Sequence, residues 1–387
     1  PARRVLMTGM HTGHTRVRGN FGKGGVVGLA GNKGRVPIKS KDVTVAEVLK
    51  TKGYKTGMIG KWGLGEPNTT GEPNKQGFDY FYGFLNQRRA HSYFPEYLWE
   101  NNKKVILEGN EDQKKTQYTH DLFAEKTMSF LDKNHKSPFF LYLPLCIPHG
   151  KYEIPDNGIY SNKEGWTEKQ KIYAAMVSKM DETVGRILDR LKKLGIEENT
   201  YIFFTSDNGA AEVENDWKLF ESSGIYRGMK RDPYEGGIRV PLLIKPANYS
   251  GEARNIAEPI IGHDFYPTLL SMAGIEIEKN IVLDGVDLSP LIHKNKPLER
   301  EDLFWHYPHY HGSAWTPGAA IRHGDWKLIE FYESNSIELY NLKNDLSEKE
   351  DLSLRFPEKV IELQNRLREL QKSMMANSAR VNPNFKK

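Results

Sequence analysis

The sequence repeats one theme, an amphipathic helix followed by an apolar strand and a polar turn. The theme occurs three times, ending in the stretches GYKTGMIGKWGLG, PFFLYLPLCIPHG and YIFFTSDNG. Two of the helices begin with capping-box spacing, Thr44 with Glu47 and Thr167 with Gln170. This alternation predicts an α/β fold with a large, mixed, mostly parallel sheet flanked by helices.

The pattern changes after about residue 298. Residues 319–342 predict antiparallel strands joined by polar turns, and residues 356–374 predict a closing amphipathic helix. We therefore expect a large domain over residues 1–298 and a smaller C-terminal α+β domain with an antiparallel sheet over residues 299–387.

Composition excludes several classes of protein. The single cysteine, Cys146, excludes an internal disulfide framework. No apolar run approaches the roughly 18 residues of a membrane span. The net charge of +5 does not require a nucleic-acid partner, but it suits an anionic substrate. We expect neither a nucleic-acid partner nor a membrane span.

Chemically active side chains follow the predicted strands. Lys61, His149, Asp207 and Asn208 all stand just past a strand end, where ligands bind in sheets of this type. The oxygens of Asp207 and Asn208 suit a hard cation such as Ca²⁺ or Mg²⁺. Asp-Asn-Gly is also common turn chemistry, and two ligands fall short of the roughly six to eight oxygens that Ca²⁺ takes. From this stretch alone a metal site and a plain turn both stay open.

Basic and histidine-rich stretches allow two interpretations each. Lys230, in GMKRDPYEGGIRVP, either clamps an anion or lies in a solvated loop before an edge strand over residues 238–244. His149 is either catalytic or structural. The glycine- and lysine-rich residues 18–34 fit neither the phosphate-loop nor the dinucleotide-binding spacing, so we interpret them as a flexible basic loop.

Two aromatic loops carry further histidines. Arg88 and His91 lie in RRAHSYFPEYLW, and His306, His309 and His311 lie in FWHYPHYHG. The second loop has a spacing that could bind a transition metal. Both loops could equally stack on sugar rings or simply pack against the rest of the protein.

Together these stretches resemble the type I sulfatases, the formylglycine-dependent, arylsulfatase-like family of the alkaline phosphatase superfamily. That family has the signature Cys/Ser-x-Pro-x-Arg, followed by a helix and Thr-Gly, and PARRVLMTGMHTGH looks like this signature from its proline onward. The resemblance implies that Arg3 is the signature arginine. It also implies that the nucleophile, a Cys or Ser oxidised to formylglycine by a maturation enzyme, stands two positions before Pro1.

The same resemblance implies that the first strand and two acidic metal ligands also lie upstream of Pro1. We therefore expect the present chain alone to be inactive, because positioning groups cannot replace a covalent step. We also expect it to fold poorly, because the missing first strand is expected in the middle of the sheet.

Two lysines match sulfate-binding positions of the family. GKWGLG looks like the family's Gly-Lys-Trp-His-Leu-Gly segment, which makes Lys61 a sulfate ligand and leaves Gly63 where the family has a histidine. GMKRDPYEGGIRVP is similar to the Lys-x4-Glu-Gly-Gly-x-Arg-Val-Pro signature, which makes Lys230 the second sulfate lysine.

The remaining matches imply an acid and a metal site. IPHG resembles the family's Pro-His stretch, which makes His149 a ligand of a sulfate oxygen and a candidate acid for the leaving group. TSDNG resembles the family's metal segment, which makes Asp207 and Asn208 ligands of one divalent cation, Ca²⁺ with Mg²⁺ as the other choice.

The resemblance thus implies a periplasmic or extracellular enzyme that hydrolyses sulfate esters. The loops that carry Arg88, His91, His306 and His309 favour a sulfated polysaccharide or oligosaccharide as the substrate. Two alternatives stay open: a related phosphodiesterase or phosphonate hydrolase, and a protein that binds sulfated glycans without turnover.

Overall fold

The computed structural model describes residues 2–19, 26–28, 31–214, 216–278, 281–310 and 317–378. Its helices are α1 (Ala2–Thr8), α2 (Val45–Thr51), α3 (Thr119–Asn134), α4 (Glu168–Lys193), α5 (Asp216–Leu219), α6 (Glu235–Ile238), α7 (Phe265–Met272), α8 (Ser289–Lys294) and α9 (Pro357–Ser373). Its strands are β1 (Val26–Gly28), β2 (Gly31–Arg35), β3 (Lys55–Lys61), β4 (Tyr80–Phe84), β5 (Tyr97–Glu100), β6 (Lys103–Ile106), β7 (Phe139–Tyr142), β8 (Ile202–Thr205), β9 (Leu242–Lys245), β10 (Asp302–Tyr307), β11 (Gly318–His323), β12 (Trp326–Phe331) and β13 (Ser336–Asn341).

The central sheet has the strand order β6-β5-β4-β3-β7. Strand β3 pairs in parallel with both neighbours, and its Gly57 lies opposite Tyr80 of β4 and Leu141 of β7. Strands β5 and β6 extend the sheet in antiparallel fashion. Every β3 residue except Lys55 is buried, as expected for a central strand covered on both faces. The predicted fold class is confirmed.

Local signals place the helices before these strands. The Thr44 Oγ1 accepts the Glu47 N–H at 3.2 Å, and the Glu47 carboxylate accepts the Thr44 N–H at 2.7 Å. The same reciprocal pair joins Thr167 and Gln170 at the start of α4. Gly195 follows α4 with a φ of +70°, a left-handed conformation that glycine adopts without strain. Both predicted capping boxes are confirmed.

Strand β8 pairs with β9 in antiparallel fashion, and each residue of β7 and β8 is half-buried. The edge strand predicted over residues 238–244 begins later than expected. Ile238 instead ends α6, which the Arg239 N–H closes by donating to the Glu235 carbonyl at 2.7 Å. Pro241 has no N–H to donate, so regular pairing starts at Leu242.

The C-terminal sheet is an antiparallel meander, β10-β11-β12-β13. Helix α9 packs on it, with Leu363 and Leu367 buried against Ile321, Leu328 and Leu339. The predicted antiparallel C-terminal sheet and closing helix are confirmed, and the boundary at residue 298 stays a prediction.

A buried ionic cluster joins this sheet to the large domain. We use the term for Lys327 of β12, Glu235 of α6 and Glu348, whose side chains are 0%, 4% and 0% exposed. The Lys327 Nζ lies 2.9 Å from Glu235 Oε1 and 2.8 Å from Glu348 Oε1. The Glu235 N–H also donates to Glu348 Oε2 at 2.6 Å. Burial is the main cause that raises the pKa of Glu348.

Among the helices of the described residues, none combines the length and the apolar character needed to cross a membrane.

Candidate active site

Arg3 connects two of the predicted strand-end positions. Its Nε donates to the carbonyl of Trp62 at 2.5 Å, directly after the last residue of β3, Lys61. Its Nη1 lies 3.9 Å from Asp207 Oδ2, two residues beyond β8. The Lys61 N–H donates to the Pro144 carbonyl at 2.9 Å, which holds the end of β3 against the segment leading to His149. The structure thus brings these residues together at the ends of β3 and β8, although among the described strands β8 pairs with β9 and not with the central sheet.

The electrostatics of the site are those of a partly desolvated cationic pocket. Burial, followed by the charge of Arg3, lowers the pKa of Lys61 to about 8, and Asp207 and Lys230 also act on this pKa. Burial likewise lowers the pKa of Lys230, against the opposing effect of Asp207. Positive charges that are costly to bury and not fully neutralised favour a bound anion.

His149 has one defined neutral tautomer. Its Nδ1 lies 2.6 Å from the Gly150 carbonyl, and because a carbonyl can only accept, the ring proton is on Nδ1. Burial, followed by the charges of Lys61 and Lys230, lowers the pKa of His149 to about 4. At neutral pH its Nε2 therefore carries no proton. To act as an acid this ring must first be protonated, and the negative charge of a bound anion favours that step.

Two aromatic side chains position His149. The Tyr93 hydroxyl donates to the His149 carbonyl at 2.6 Å and lies 3.0 Å from the Cys146 carbonyl. The ring of His91 stacks on the ring of His149, with centroids 4.4 Å apart and an angle of 22° between the planes. His91 is therefore next to a predicted site residue. Arg88 is exposed on the same loop, and its carbonyl accepts the His91 N–H at 3.3 Å.

The loop after β8 and the turn that carries Lys230 form one structural unit. The Gly209 N–H donates to the Gly237 carbonyl at 2.9 Å, and the Lys230 N–H donates to the Ala210 carbonyl at 2.7 Å. A Cβ atom on Gly209 would lie 1.9 Å from the carbonyl oxygen of Gly236, so only glycine permits this approach. These contacts fix Asp207 and Asn208 relative to Lys230.

The donor atoms of Asp207 and Asn208 fit a hard cation. The Asn208 Nδ2 donates to the Gly209 carbonyl at 2.9 Å, which leaves the amide oxygen available as a ligand. The Asp207 side chain is 56% exposed. The described residues contain no group of three or more His, Cys, Asp or Glu side chains that could hold a metal ion. A cation bound here would need further oxygen ligands besides these two.

Gly63 stands where the resembled family has a histidine, and its surroundings leave little room for a side chain. Its φ is +76°, and a Cβ atom would lie 3.0 Å from Arg3 Nη2 and 3.2 Å from Gln87 Oε1. Gln87 and Arg3 therefore both lie beside this position. The motifs do not include Gln87; the only sequence signal for it is the glycine at position 63.

The second aromatic loop lies elsewhere. His306 is 4% exposed, its Nε2 donates to the Asn377 carbonyl at 2.7 Å, and its ring packs on Phe304 with centroids 5.7 Å apart. This environment favours packing over substrate contact for His306, since a buried side chain cannot reach a sugar. His309 is exposed on the same loop. Partial burial of its ring, followed by the charge of Arg18, lowers its pKa.

His311 lies outside the described residues, as do residues 20–25 and 29–30 of the predicted basic loop. Within that loop the structure describes β1 and β2, which pair as a short hairpin.

Comparison with known proteins gives consistent results along the whole chain. The model of the family described as Sulfatase matches residues 1–275, and the model described as N-sulphoglucosamine sulphohydrolase, C-terminal, matches residues 224–375. An uncharacterized sulfatase of Escherichia coli (strain K12) is 28% identical, over 99% of this chain and 74% of that protein. A sulfatase of Formosa agariphila is 31% identical, over 70% of this chain and 53% of that protein.

Among solved structures, Ps i-CgsB in complex with k-i-k-neocarrahexaose superposes with a TM-score of 0.78 and 28% identity. The match covers 96% of this chain and 81% of that one. The chain thus spans between 53% and 74% of the length of the two curated relatives named above.

Proposed function

Since this chain belongs to the sulfatase family, we propose that it hydrolyses the sulfate esters of a sulfated polysaccharide or oligosaccharide. The observation that carries the proposal is the grouping of five side chains that influence one another's charge near the ends of β3 and β8, namely Arg3, Lys61, His149, Asp207 and Lys230.

The charge of this group suits a sulfate monoester, which carries one negative charge. Lys61 and Lys230 would bind the sulfate oxygens, and their partial burial strengthens that attraction because water screens it less. Arg3 would hold the catalytic residue expected upstream, since its guanidinium joins the end of β3 to Asp207. Such preorganised cations stabilise negative charge that develops in the transition state.

Asp207 and Asn208 would hold one divalent cation, which we propose to be Ca²⁺, with Mg²⁺ as the other choice. A bound cation would supply additional positive charge beside the sulfate oxygens. We further propose that the nucleophile is a formylglycine produced by a maturation enzyme, and that the protein works in the periplasm or outside the cell.

A carbohydrate substrate is supported by the loop that carries Arg88 and His91. His91 stacks on His149, so a group bound at the sulfate site would extend toward this loop. Hydrogen-bonding and cationic side chains around the sulfate suit sugar hydroxyls and further sulfates. The similar protein Ps i-CgsB was solved in complex with k-i-k-neocarrahexaose, which supports the use of an oligosaccharide of this kind as the probe.

The test is sulfate release by the full-length protein with Ca²⁺, Mg²⁺ or a chelator, measured by ion chromatography on a sulfated carrageenan hexasaccharide and on an aryl sulfate. Lys61→Ala and Lys230→Ala should each lower kcat/KM by about 10²- to 10³-fold, as loss of one oxyanion partner does. Lys296→Ala removes an exposed lysine and is the control.

Cleavage of phosphodiesters to an alcohol and a phosphomonoester, in preference to sulfate release, would instead favour the phosphodiesterase alternative. Calorimetric binding of the hexasaccharide without any turnover would favour a glycan-binding protein.

A further inference from the structure

A chain of aromatic rings leads away from the His149 turn. The Tyr152 ring lies 3.3 Å from the position that a Cβ atom on Gly150 would take. From Tyr152 the ring centroids continue to Tyr173 at 5.9 Å and to Phe220 at a further 5.4 Å. These distances are those of contacting aromatic pairs. The chain of rings therefore starts at the candidate site.

The outer end of this chain reaches the surface. Phe220 contacts Trp166 with centroids 5.2 Å apart, and Trp166 stacks on Tyr160 at 5.9 Å. All these rings are half-buried, so each shows part of its surface to solvent. Trp217, on the short helix before Phe220, is 60% exposed, and Ile159 is 82% exposed. We call the rings of Tyr160, Trp166, Trp217 and Phe220 the aromatic surface.

A groove of about 480 Å³ lies beside the aromatic surface, between the start of α4 and α5. Its lining consists of Gly165, Thr167, Gln170, Glu214, Lys218 and Leu219. The Glu214 carboxylate is neutralised by Lys169, whose Nζ lies 2.8 Å from its Oε1. The Lys218 Nζ lies 4.7 Å from the centre of the Trp217 ring, and no carboxylate of the described residues pairs with it. The groove thus places the apolar side chain of Leu219 and the positive charge of Lys218 beside the aromatic surface.

We propose that this groove and the aromatic surface bind further sugar units of the sulfated carbohydrate whose sulfate ester lies at the candidate site. Aromatic faces stack on the C–H faces of sugar rings, and Lys218 pairs with a second sulfate. This proposal rests on the proposed function.

Two arguments select a sugar over a second copy of the chain. Ring contacts join the aromatic surface to the candidate site, from Tyr152 beside Gly150 through Tyr173 to Phe220. A stable dimer buries about 800 Å² on each partner. The exposed apolar side chains of this patch, Ile159, Trp217 and Leu219, are too few to supply that area.

The test compares Trp217→Ala and Lys218→Ala with the wild type on two substrates, the carrageenan hexasaccharide and an aryl sulfate. Each variant should lower kcat/KM for the hexasaccharide roughly three- to tenfold, mainly through KM, as loss of one stacked ring or one paired charge does. Activity on the aryl sulfate should stay within about twofold, because that substrate ends before the groove. Leu354→Ala, which removes a 97% exposed side chain from the C-terminal region, is the matched control.

Tyr310→Ala, at a 66% exposed ring of the second aromatic loop, tests the competing location for sugar contacts. A loss of hexasaccharide activity in Tyr310→Ala and not in Trp217→Ala would overturn the proposal. Equal losses on both substrates would overturn it as well, and so would a wild-type dimer that Trp217→Ala dissociates. Calorimetric binding of the hexasaccharide tests the groove separately from the proposed function. If the protein binds the hexasaccharide without turnover and Trp217→Ala weakens that binding, the groove binds sugar but the proposed function is wrong.

Discussion

Replacing Lys327 by Met tests the buried ionic cluster. Methionine fills a similar volume, so the main effect is electrostatic: Glu235 and Glu348 lose a cation 2.9 and 2.8 Å away. Glu235 keeps Arg239, whose Nη1 lies 3.5 Å from its Oε2. Glu348 keeps no cation among its described ion-pair partners, and burial already raises its pKa. The variant should therefore fold with Glu348 protonated.

The expected loss of stability equals the free energy that is needed to protonate Glu348. A carboxyl with an ordinary pKa of about 4.3 needs about 3.7 kcal/mol to protonate at pH 7 and about 1 kcal/mol at pH 5. Removing one partner of a buried ion pair costs about 3–5 kcal/mol, which agrees with the value at pH 7. Since the folded-state pKa of Glu348 rises further above its unfolded value, the variant is most stable below the unfolded pKa and loses stability as the pH rises.

The assay is urea unfolding of the wild type and of Lys327→Met at pH 5, 6 and 7. We expect the variant's deficit in the free energy of unfolding to be about 4 kcal/mol at pH 7 and about 1 kcal/mol at pH 5. Adding Glu348→Gln should recover most of the deficit at pH 7. Lys296→Met, which breaks a pair between exposed side chains 3.5 Å apart, should change stability by less than about 0.5 kcal/mol. A deficit that is the same at all three pH values would refute the reasoning.

The other predictions concern the candidate active site. Because the pKa of Lys61 is lowered to about 8, kcat/KM should fall as the pH rises through about 8, and a pH–rate profile of Lys61→Arg should lack this decline. His149→Ala should slow hydrolysis of sugar sulfates more than that of 4-nitrophenyl sulfate, whose leaving group needs no proton; equal slowing would exclude an acid role. Gln87→Ala should lower kcat/KM by up to about tenfold, the value of one neutral hydrogen bond, with an unchanged melting temperature in calorimetry. Gly209→Ala should abolish tight metal binding in calorimetry, because its Cβ would lie 1.9 Å from Gly236 O and displace Asp207; normal affinity would contradict the proposed metal loop.

The parts of the fold that depend on short-range signals were predictable from the sequence. The capping boxes of α2 and α4 involve residues three apart, and both form as the spacing indicates. The order of helices and strands likewise predicted the parallel pairing of β3 with β7, whereas β4, which also pairs in parallel with β3, was not among the predicted strands. The start of β9 was predictable only in part: Pro241 is a local signal against pairing at that residue, but the position of α6 also depends on the bond from the Glu235 N–H to the distant Glu348.

The residues of the candidate site likewise divide into those that short motifs predict and those that depend on long-range contacts. Arg3, Lys61 and Lys230 stand in motifs, so their positions could be predicted before their surroundings were known. His306 also stands in a suggestive loop, but its burial depends on Asn377, which is 71 residues away along the chain. Gln87 lies in no motif, and the rings from Tyr152 to Tyr160 come from segments whose meeting depends on tertiary packing.

The ionic cluster also bears on how this protein can be recombined with its relatives. Domain exchange at residue 298 would separate Glu235 from the β12 lysine that neutralises it, and a foreign C-terminal module would have to provide a cation at the same depth. The turn that carries Lys230 is thus a physical part of the C-terminal module, although it precedes that module in the chain. A crossover before Arg227, whose Nη1 donates to the Tyr340 hydroxyl at 2.8 Å, would transfer the turn and the sheet together. Chimeras built at that junction should keep a folded active site, whereas chimeras built at residue 298 should not.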